Sequence, residues 1–398
     1  MLCCHRDIDT VFFSYEFERE SKEVEKSNYL AYNELGLLKS FLFVNLLQFN
    51  NLIMKKSYIR QSIGIDVSKD TLDIAISTLD PEFSIHVLAT HKYTNDKAGI
   101  KELMFWVERK RARELPLKII MEATGIYHEK LAHTLSDNGY ELAIVMPNKI
   151  KNYCATTNVR SVTDKISAKQ IAEFGLMKKL DNWQKPNPLI SHLKTLTRER
   201  ATLLEEKTLV SNQRHAYQNM ADARKETLLR FDKRIKLIDK QIVEIEKEIN
   251  QLLSSEKNAW LKAKIDKICT VRGLGESSVV TVIAETDGFN LIRNSRQLVC
   301  FAGYDVVHKE SGTSVKKQTR MSHKGNRHIR KVLHFPALSA KMYEPYFTEM
   351  YNRLYARQQV KMKTYVAIQR KLLILIYTLW KKDMAYDPNY HKPLLTVD

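Results

Sequence analysis

Leu228, Phe231, Ile235, Ile238, Ile242, Ile245, Ile249 and Leu252 recur at alternating spacings of three and four, an apolar seam sustained over more than three heptads. Leu193, Leu196, Leu203 and Val210 extend it upstream, where Arg200 and Lys207 interrupt it. Glu244, Glu246, Lys247 and Glu248 suit a solvated face. The spacing predicts a coiled coil over residues 190–262 that also brings protomers together. An intramolecular helical hairpin satisfies the same spacing.

The pattern upstream has a different period. Residues 62–67 and 71–76 are β-rich runs joined by a turn at Ser68-Lys69-Asp70, and 83–89 gives a third strand. A helix is predicted over 96–113, a buried strand over 117–121, and a helix over 126–138 ended by Gly139. Residues 142–146 form another strand, closed by Pro147, and Thr163 caps a helix running to about 178. Hairpin strands followed by alternating strands and helices predict an α/β layered domain over 57–183. A linker with two prolines, 183–188, separates it from the seam.

Beyond the seam, residues 263–398 form a mainly α region. Arg272-Gly273-Leu274-Gly275 opens the apolar run 279–284 and resembles a helix-hairpin-helix turn, whose glycines let backbone N–H groups approach a phosphate. Residues 343–380 read as helical, with Val366, Ile368, Leu372, Leu373, Leu375 and Ile376 in the core.

At 398 residues the chain is long enough for two or three domains, and its 44% hydrophobic content is that of a globular protein. The formal charge of +18 favours a polyanionic partner bound in a salt-sensitive way. Cys3, Cys4, Cys154, Cys269 and Cys300 are scattered, without CxxC spacing, so neither a disulfide framework nor a zinc site is implied. Reduced thiols in a cytoplasm are the expectation. Residues 1–56 are an accessory or spurious extension, with Met54-Lys55-Lys56 as a candidate start. Its apolar stretch is broken by Lys39 and falls short of the ~20 residues that span a bilayer, so no membrane association is expected.

Candidate chemistry begins with acids in apolar strands. Burying a carboxylate without partners is costly, so Asp66, between Ile65 and Val67, needs a cation or a hydrogen-bond network. Glu122, ending another apolar strand, poses the same problem. In an RNase H-like layout these positions adjoin, and an acid on a later helix, Asp164, completes the set. Oxygen ligands of this kind suit magnesium or manganese, which would offset charge on a phosphate. Taken singly, each acid is a cap or surface residue. The first run also resembles the phosphate loop of actin-like sugar kinases, but those place glycine where Ser68 stands and no matching adenosine loop follows.

Residues 309–331 hold eight lysines and arginines against one acid, Glu310, with His323, His328 and His334 close by. Lys316, Lys317, Arg320, Lys324, Arg327, Arg330 and Lys331, on a predicted turn-plus-helix, are candidate phosphate contacts. Ser311-Gly312 heads the segment. A serine hydroxyl is a poor nucleophile without a base or metal, and in isolation Ser311 is a turn residue.

Gly64-Ile65-Asp66-Val67-Ser68-Lys69, Met121-Glu122-Ala123-Thr124-Gly125-Ile126-Tyr127, Thr163-Asp164-Lys165 and Ser322-His323-Lys324-Gly325-Asn326-Arg327 together resemble one family. It is the "IS one-ten" family of bacterial insertion-sequence transposases, with its IS eleven-eleven relatives. The resemblance runs from Lys55 to Pro388 and takes in Ala302-Gly303-Tyr304 and Tyr386-Asp387-Pro388. It implies a RuvC-like domain with a DEDD acidic set, a coiled coil, and a C-terminal transposase domain bearing a nucleophilic serine. It also implies DNA at the element ends and target, a guide RNA from the element, and a dimer or tetramer. The carry-over puts the first three acids at Asp66, Glu122 and Asp164 and the serine at Ser311, with Ser322 as the alternative. The chain departs from the pattern at Ser167, where the fourth acid is expected, and at Arg272, where the family has proline. Two rival readings are a junction-resolving nuclease without covalent intermediate and an inactive nucleic-acid-binding remnant.

Overall fold

The computed structural model describes residues 58–389 except 124, 158–162, 291 and 312–314, and of 309–311 and 315–318 the backbone alone. The expectations for residues 1–56 lie outside the described residues. The described chain parts into two compact units between Lys185 and Pro186.

In the first unit a mixed sheet runs in the order β3-β2-β1-β4-β5, with β1 (Arg60–Val67), β2 (Thr71–Leu79), β3 (Ile85–Thr94), β4 (Leu117–Glu122) and β5 (Glu141–Val145). The first three strands pair antiparallel, because Ser68 closes a tight turn: its amide donates to the Thr71 carbonyl at 2.9 Å. β4 and β5 join in parallel, and parallel neighbours require crossover helices. These are α1 (Lys97–Lys110), capped by Asp96, and α2 (Glu129–Asp137). The sheet fits the RNase H-like domain that was expected.

Both faces of the sheet are covered, so the central strands are buried along most of their length. Ile63, Ile65, Ile119 and Met121 pack with Leu103, Val107, Leu131 and Leu135 of α1 and α2. On the other face Ile120, Ala143 and Val145 pack with Ile150 of α3 (Pro147–Cys154) and with Ile171 and Phe174 of α4 (Asp164–Met177). Thr163 caps α4 by accepting from the Ile166 amide. The α3 helix was not foreseen. Pro147 stands at its first position, where a missing N–H costs nothing, rather than merely ending β5.

The second unit opens with α5 (Pro188–Gln218) and α6 (Lys225–Ser254). Arg200–Glu246, Lys207–Asp239 and Arg214–Asp232 pair in reverse order along them, so the two helices form an antiparallel hairpin within one chain. Val210, Ile238 and Ile242 are buried between them, with Leu203, Phe231 and Ile235 alongside. Arg200 and Lys207, which break the seam in sequence, thus tie the hairpin across its edge, as Arg214 does nearer the turn.

The rest is mainly α, with α7 (Ala259–Cys269), α8 (Glu276–Glu285), α9 (Ser295–Ala302), α10 (Arg327–Val332), α11 (His334–Tyr343), α12 (Pro345–Gln358) and α13 (Lys361–Lys382) around a core that includes Phe289, Phe347 and Leu372. The expected single helical stretch over 343–380 divides at Gln359, whose φ of +54° closes α12. The basic segment is also not a turn-plus-helix. β6 (Val306–Ser311) and β7 (Val315–Met321) pair antiparallel, so Lys316, Lys317 and Arg320 stand on a strand and only Arg327, Arg330 and Lys331 on α10. Val306, Val307, Val315 and Thr319 supply β-formers that the density of charge obscures.

Candidate active site

Successive residues of a strand point to opposite faces, so Ser62, Gly64 and Asp66 share one face of β1. That face meets α4. The buried Ser62 hydroxyl donates to the Ala172 carbonyl at 2.8 Å. A Cβ on Gly64 would lie 2.2 Å from both the Ala168 carbonyl oxygen and the Ala172 nitrogen, so α4 rests directly on the β1 backbone. Gly175 makes the same approach to β4, where a Cβ would fall 2.3 Å from Ile120 Cδ1. These two glycines set the height of the helix, and with it the place of Asp164 and Ser167 in its first turns.

Asp66 there is partly buried and surrounded by acids. Burial, and then Asp164, Glu122 and Asp73, push its pKa up to about 6, against a hydrogen bond donated by the Ser167 hydroxyl. Burial also raises Glu122. Asp73, directly opposite Asp66 in register, is itself buried. Lys92 stands opposite Asp73 on the next strand, with its Nζ 3.1 Å from Asp73 Oδ2 and 3.7 Å from Asp164 Oδ2. The hydrogen bond to Asp73 and the charge of both acids hold the Lys92 ammonium above its ordinary range.

The structure thus places Glu122 and Asp164 within electrostatic reach of Asp66 and adds two residues that sequence reasoning missed, Asp73 and Lys92. Asp73 lies in the β-rich run 71–76, and pairing that run against 62–67 across the Ser68 turn would have exposed it. Lys92 lies beyond residue 89, where the third strand was expected to stop.

Among the described residues no three His, Cys, Asp or Glu side chains stand close enough together to hold an ion as they are. The donor chemistry nevertheless fits a hard divalent cation: all the donors are carboxylates, and their crowding leaves Asp66 short of positive charge. The Asp164 side chain is 66% exposed, so it can turn toward Asp66 without repacking the core.

In the second unit, Ser311 is the last residue of β6, paired with Val315. Its side chain, like those of Lys316 and Lys317, lies outside the described residues. The Ser322 hydroxyl is bonded to the Asp305 carboxylate, and its amide donates to the Asp305 carbonyl at 2.8 Å. Arg320, Lys324 and Arg327 are exposed. Arg330 instead donates from Nη1 to the Ala302 carbonyl at 2.6 Å, and Lys331 is ion-paired with Glu205.

Gly273 has φ +97°, and a Cβ there would lie 2.5 Å from the Ala340 nitrogen, so this glycine admits the close approach of α11. Gly275 precedes α8 with open space around it. Behind α10, the fully buried Glu285 carboxylate accepts from Arg198 Nε and Nη2 at 2.6 and 2.9 Å and from Asn326 Nδ2 at 2.6 Å. Burial would raise its pKa, but these hydrogen bonds win and lower it. Asn326 Oδ1 in turn caps α10 through the His328 and Ile329 amides.

No helix among the described residues is long and apolar enough to cross a membrane. The pilin gene-inverting proteins of Moraxella lacunata and Moraxella bovis are 26% and 25% identical to this chain over 349 residues, covering 85% of it and all of each relative. Among solved structures, Thermus thermophilus RuvC in complex with a Holliday junction substrate aligns with 31% of this chain and 99% of its own, at 9% identity and a TM-score of 0.25. A DEDD transposase model of the IS110 type matches residues 63–218, and the model described as the transposase IS116/IS110/IS902 family matches 265–352. The first match contains Asp66, Glu122 and Asp164, the second contains Ser311 and the basic hairpin, and the chain belongs to the IS110 family of transposases.

Proposed function

We propose that this chain is the recombinase of an insertion sequence, cutting and rejoining DNA at the element ends and target. Asp66, Glu122 and Asp164 hold a divalent ion, magnesium or manganese, and Ser311 is the nucleophile. Family membership and the relatives named for inverting a pilin gene support the recombinase reading. One observation carries the site: Asp66 is partly buried on a sheet face directly opposite the buried Asp73, with Glu122 and Asp164 within electrostatic reach. Such crowding persists where function, rather than stability, requires it.

When bound, the ion would polarise a non-bridging phosphate oxygen and offset charge in the transition state. The chain's own groups do the rest. The Ser311 oxygen bonds to phosphorus as the P–O bond to the DNA oxygen breaks; the serine proton passes to solvent and the leaving oxygen takes one up, so one ester replaces another and no nucleotide cofactor is needed. Arg320, Lys324 and Arg327, with Lys316 and Lys317 on the hairpin strand, hold the DNA backbone, and the amides after Gly275 approach a phosphate.

Residues 57–183 then form the acidic domain, 190–262 the arm, and 263–398 the domain that supplies the serine. An RNA encoded by the element guides both DNA partners. The apolar seam joins protomers into a dimer or tetramer in addition to closing its own hairpin. The test uses a plasmid carrying the element ends. Asp66→Ala and Ser311→Ala each abolish recombination, and mixing the two variants restores part of it if the site is shared between chains. Wild-type recombination by either variant alone contradicts the reading.

A further inference from the structure

We infer that Lys92 is a built-in cation of the acidic site, standing where a second divalent ion would sit, so that each chain takes one such ion. This rests on the reading that the acids bind metal. Lys92, Asp73 and Asp66 form a row across three neighbouring strands, each directly opposite the next. The ammonium reaches past Asp73, at 3.1 Å, to Asp164, at 3.7 Å. Two of the four carboxylates therefore already share a positive charge.

Among the described residues, neither Asp66 nor Glu122 has an ion pair with Lys, Arg or His, which leaves that side of the cluster for the metal. Ser167 donates its hydroxyl to Asp66 and brings no charge of its own. Asp164 can share one ion with Asp66 and Glu122, but a second dication on its Lys92 side would lie against the ammonium and be repelled by it. Lys92 is thus a positioning residue. It holds Asp73 and Asp164 in place beside Asp66 and limits the site to one ion.

Manganese titration of the metal-free full-length chain, followed by electron paramagnetic resonance of free and bound Mn2+, tests this. One equivalent is expected for the wild type and for Lys92→Arg, which keeps the charge. Lys92→Met is expected to bind two equivalents and to show Mn–Mn coupling. Two equivalents in the wild type overturn the inference even if Lys92→Met fails to fold, as does a single equivalent in folded Lys92→Met. No bound Mn2+ in the wild type refutes the metal-binding reading itself, whereas one equivalent lost in Asp66→Ala upholds that reading whatever Lys92→Met shows.

Discussion

Asp66 on β1 and Asp73 on β2 face each other directly across an antiparallel pair, so two carboxylates share one face of a buried sheet. Like charges directly opposite destabilise a sheet. The Lys92 ammonium relieves Asp73, and Asp66 is left to carry the strain of the cluster.

Stability of the metal-free protein should therefore depend on pH through Asp66. Its pKa in the folded chain, about 6, lies above the ordinary 3.8, so the folded state keeps a proton that the unfolded chain releases. This contribution is fully present below about pH 4 and is lost as pH rises through 6. The raw shift corresponds to about 3 kcal/mol, and solvent screening at a partly exposed group reduces it to roughly 1–2. Asp66→Asn should remove the dependence and raise the denaturation midpoint at neutral pH, measured without metal. Magnesium should stabilise the wild type above pH 6 and leave Asp66→Asn unaffected.

Gly64→Ala tests the seat of α4. Its new methyl would meet backbone 2.2 Å away, so the helix must lift from β1. A destabilisation of at least about 3 kcal/mol in urea is expected, since backbone yields less readily than an overpacked side chain. Manganese affinity should fall with it, because Asp164 rides on the same helix. Unchanged stability would show that the contact is looser than the structure has it.

Glu285→Ala tests the link behind α10. It strips the carboxylate from Arg198 and from the residue that caps α10, Asn326. A loss of about 2–4 kcal/mol in urea denaturation is expected, below that of a fully buried pair because Arg198 is half exposed. Glu285→Gln, which keeps the shape and one acceptor, should cost less.

The acids were legible in sequence for a physical reason. A carboxylate inside a run such as Ile65-Asp66-Val67 has no cheap explanation, and Thr163 before Asp164 is a clear cap. Asp73 and Lys92 were not, because their importance lies in register, which no single strand reveals. The seam of α6 was legible as a seam but not as a hairpin, since the same apolar spacing serves a partner within the chain or outside it. The β6–β7 hairpin was read as turn-plus-helix because Lys and Arg, good helix formers, mask Val306, Val307 and Val315 at the positions that pair.

Salt dependence separates the basic residues. Replacing the exposed Arg320, Lys324 and Arg327 together with glutamine should lower the slope of log affinity against log salt by about 2–3, at roughly 0.9 per phosphate contact. Arg330→Gln should change that slope little and instead cost about 1–3 kcal/mol of stability, because its guanidinium is spent on the Ala302 carbonyl. Fluorescence anisotropy on element-end DNA at several salt concentrations reads the first, and urea denaturation the second.

Covalent capture puts the pairing of acids and serine to its most direct trial. The full-length chain is mixed with nicked element-end DNA and magnesium, denatured, digested and read by mass spectrometry. A nucleotide-bearing peptide that contains Ser311, absent when Asp66 is alanine, is the expected result. DNA cut at the wild-type rate by Ser311→Ala, with no protein attached, would contradict it.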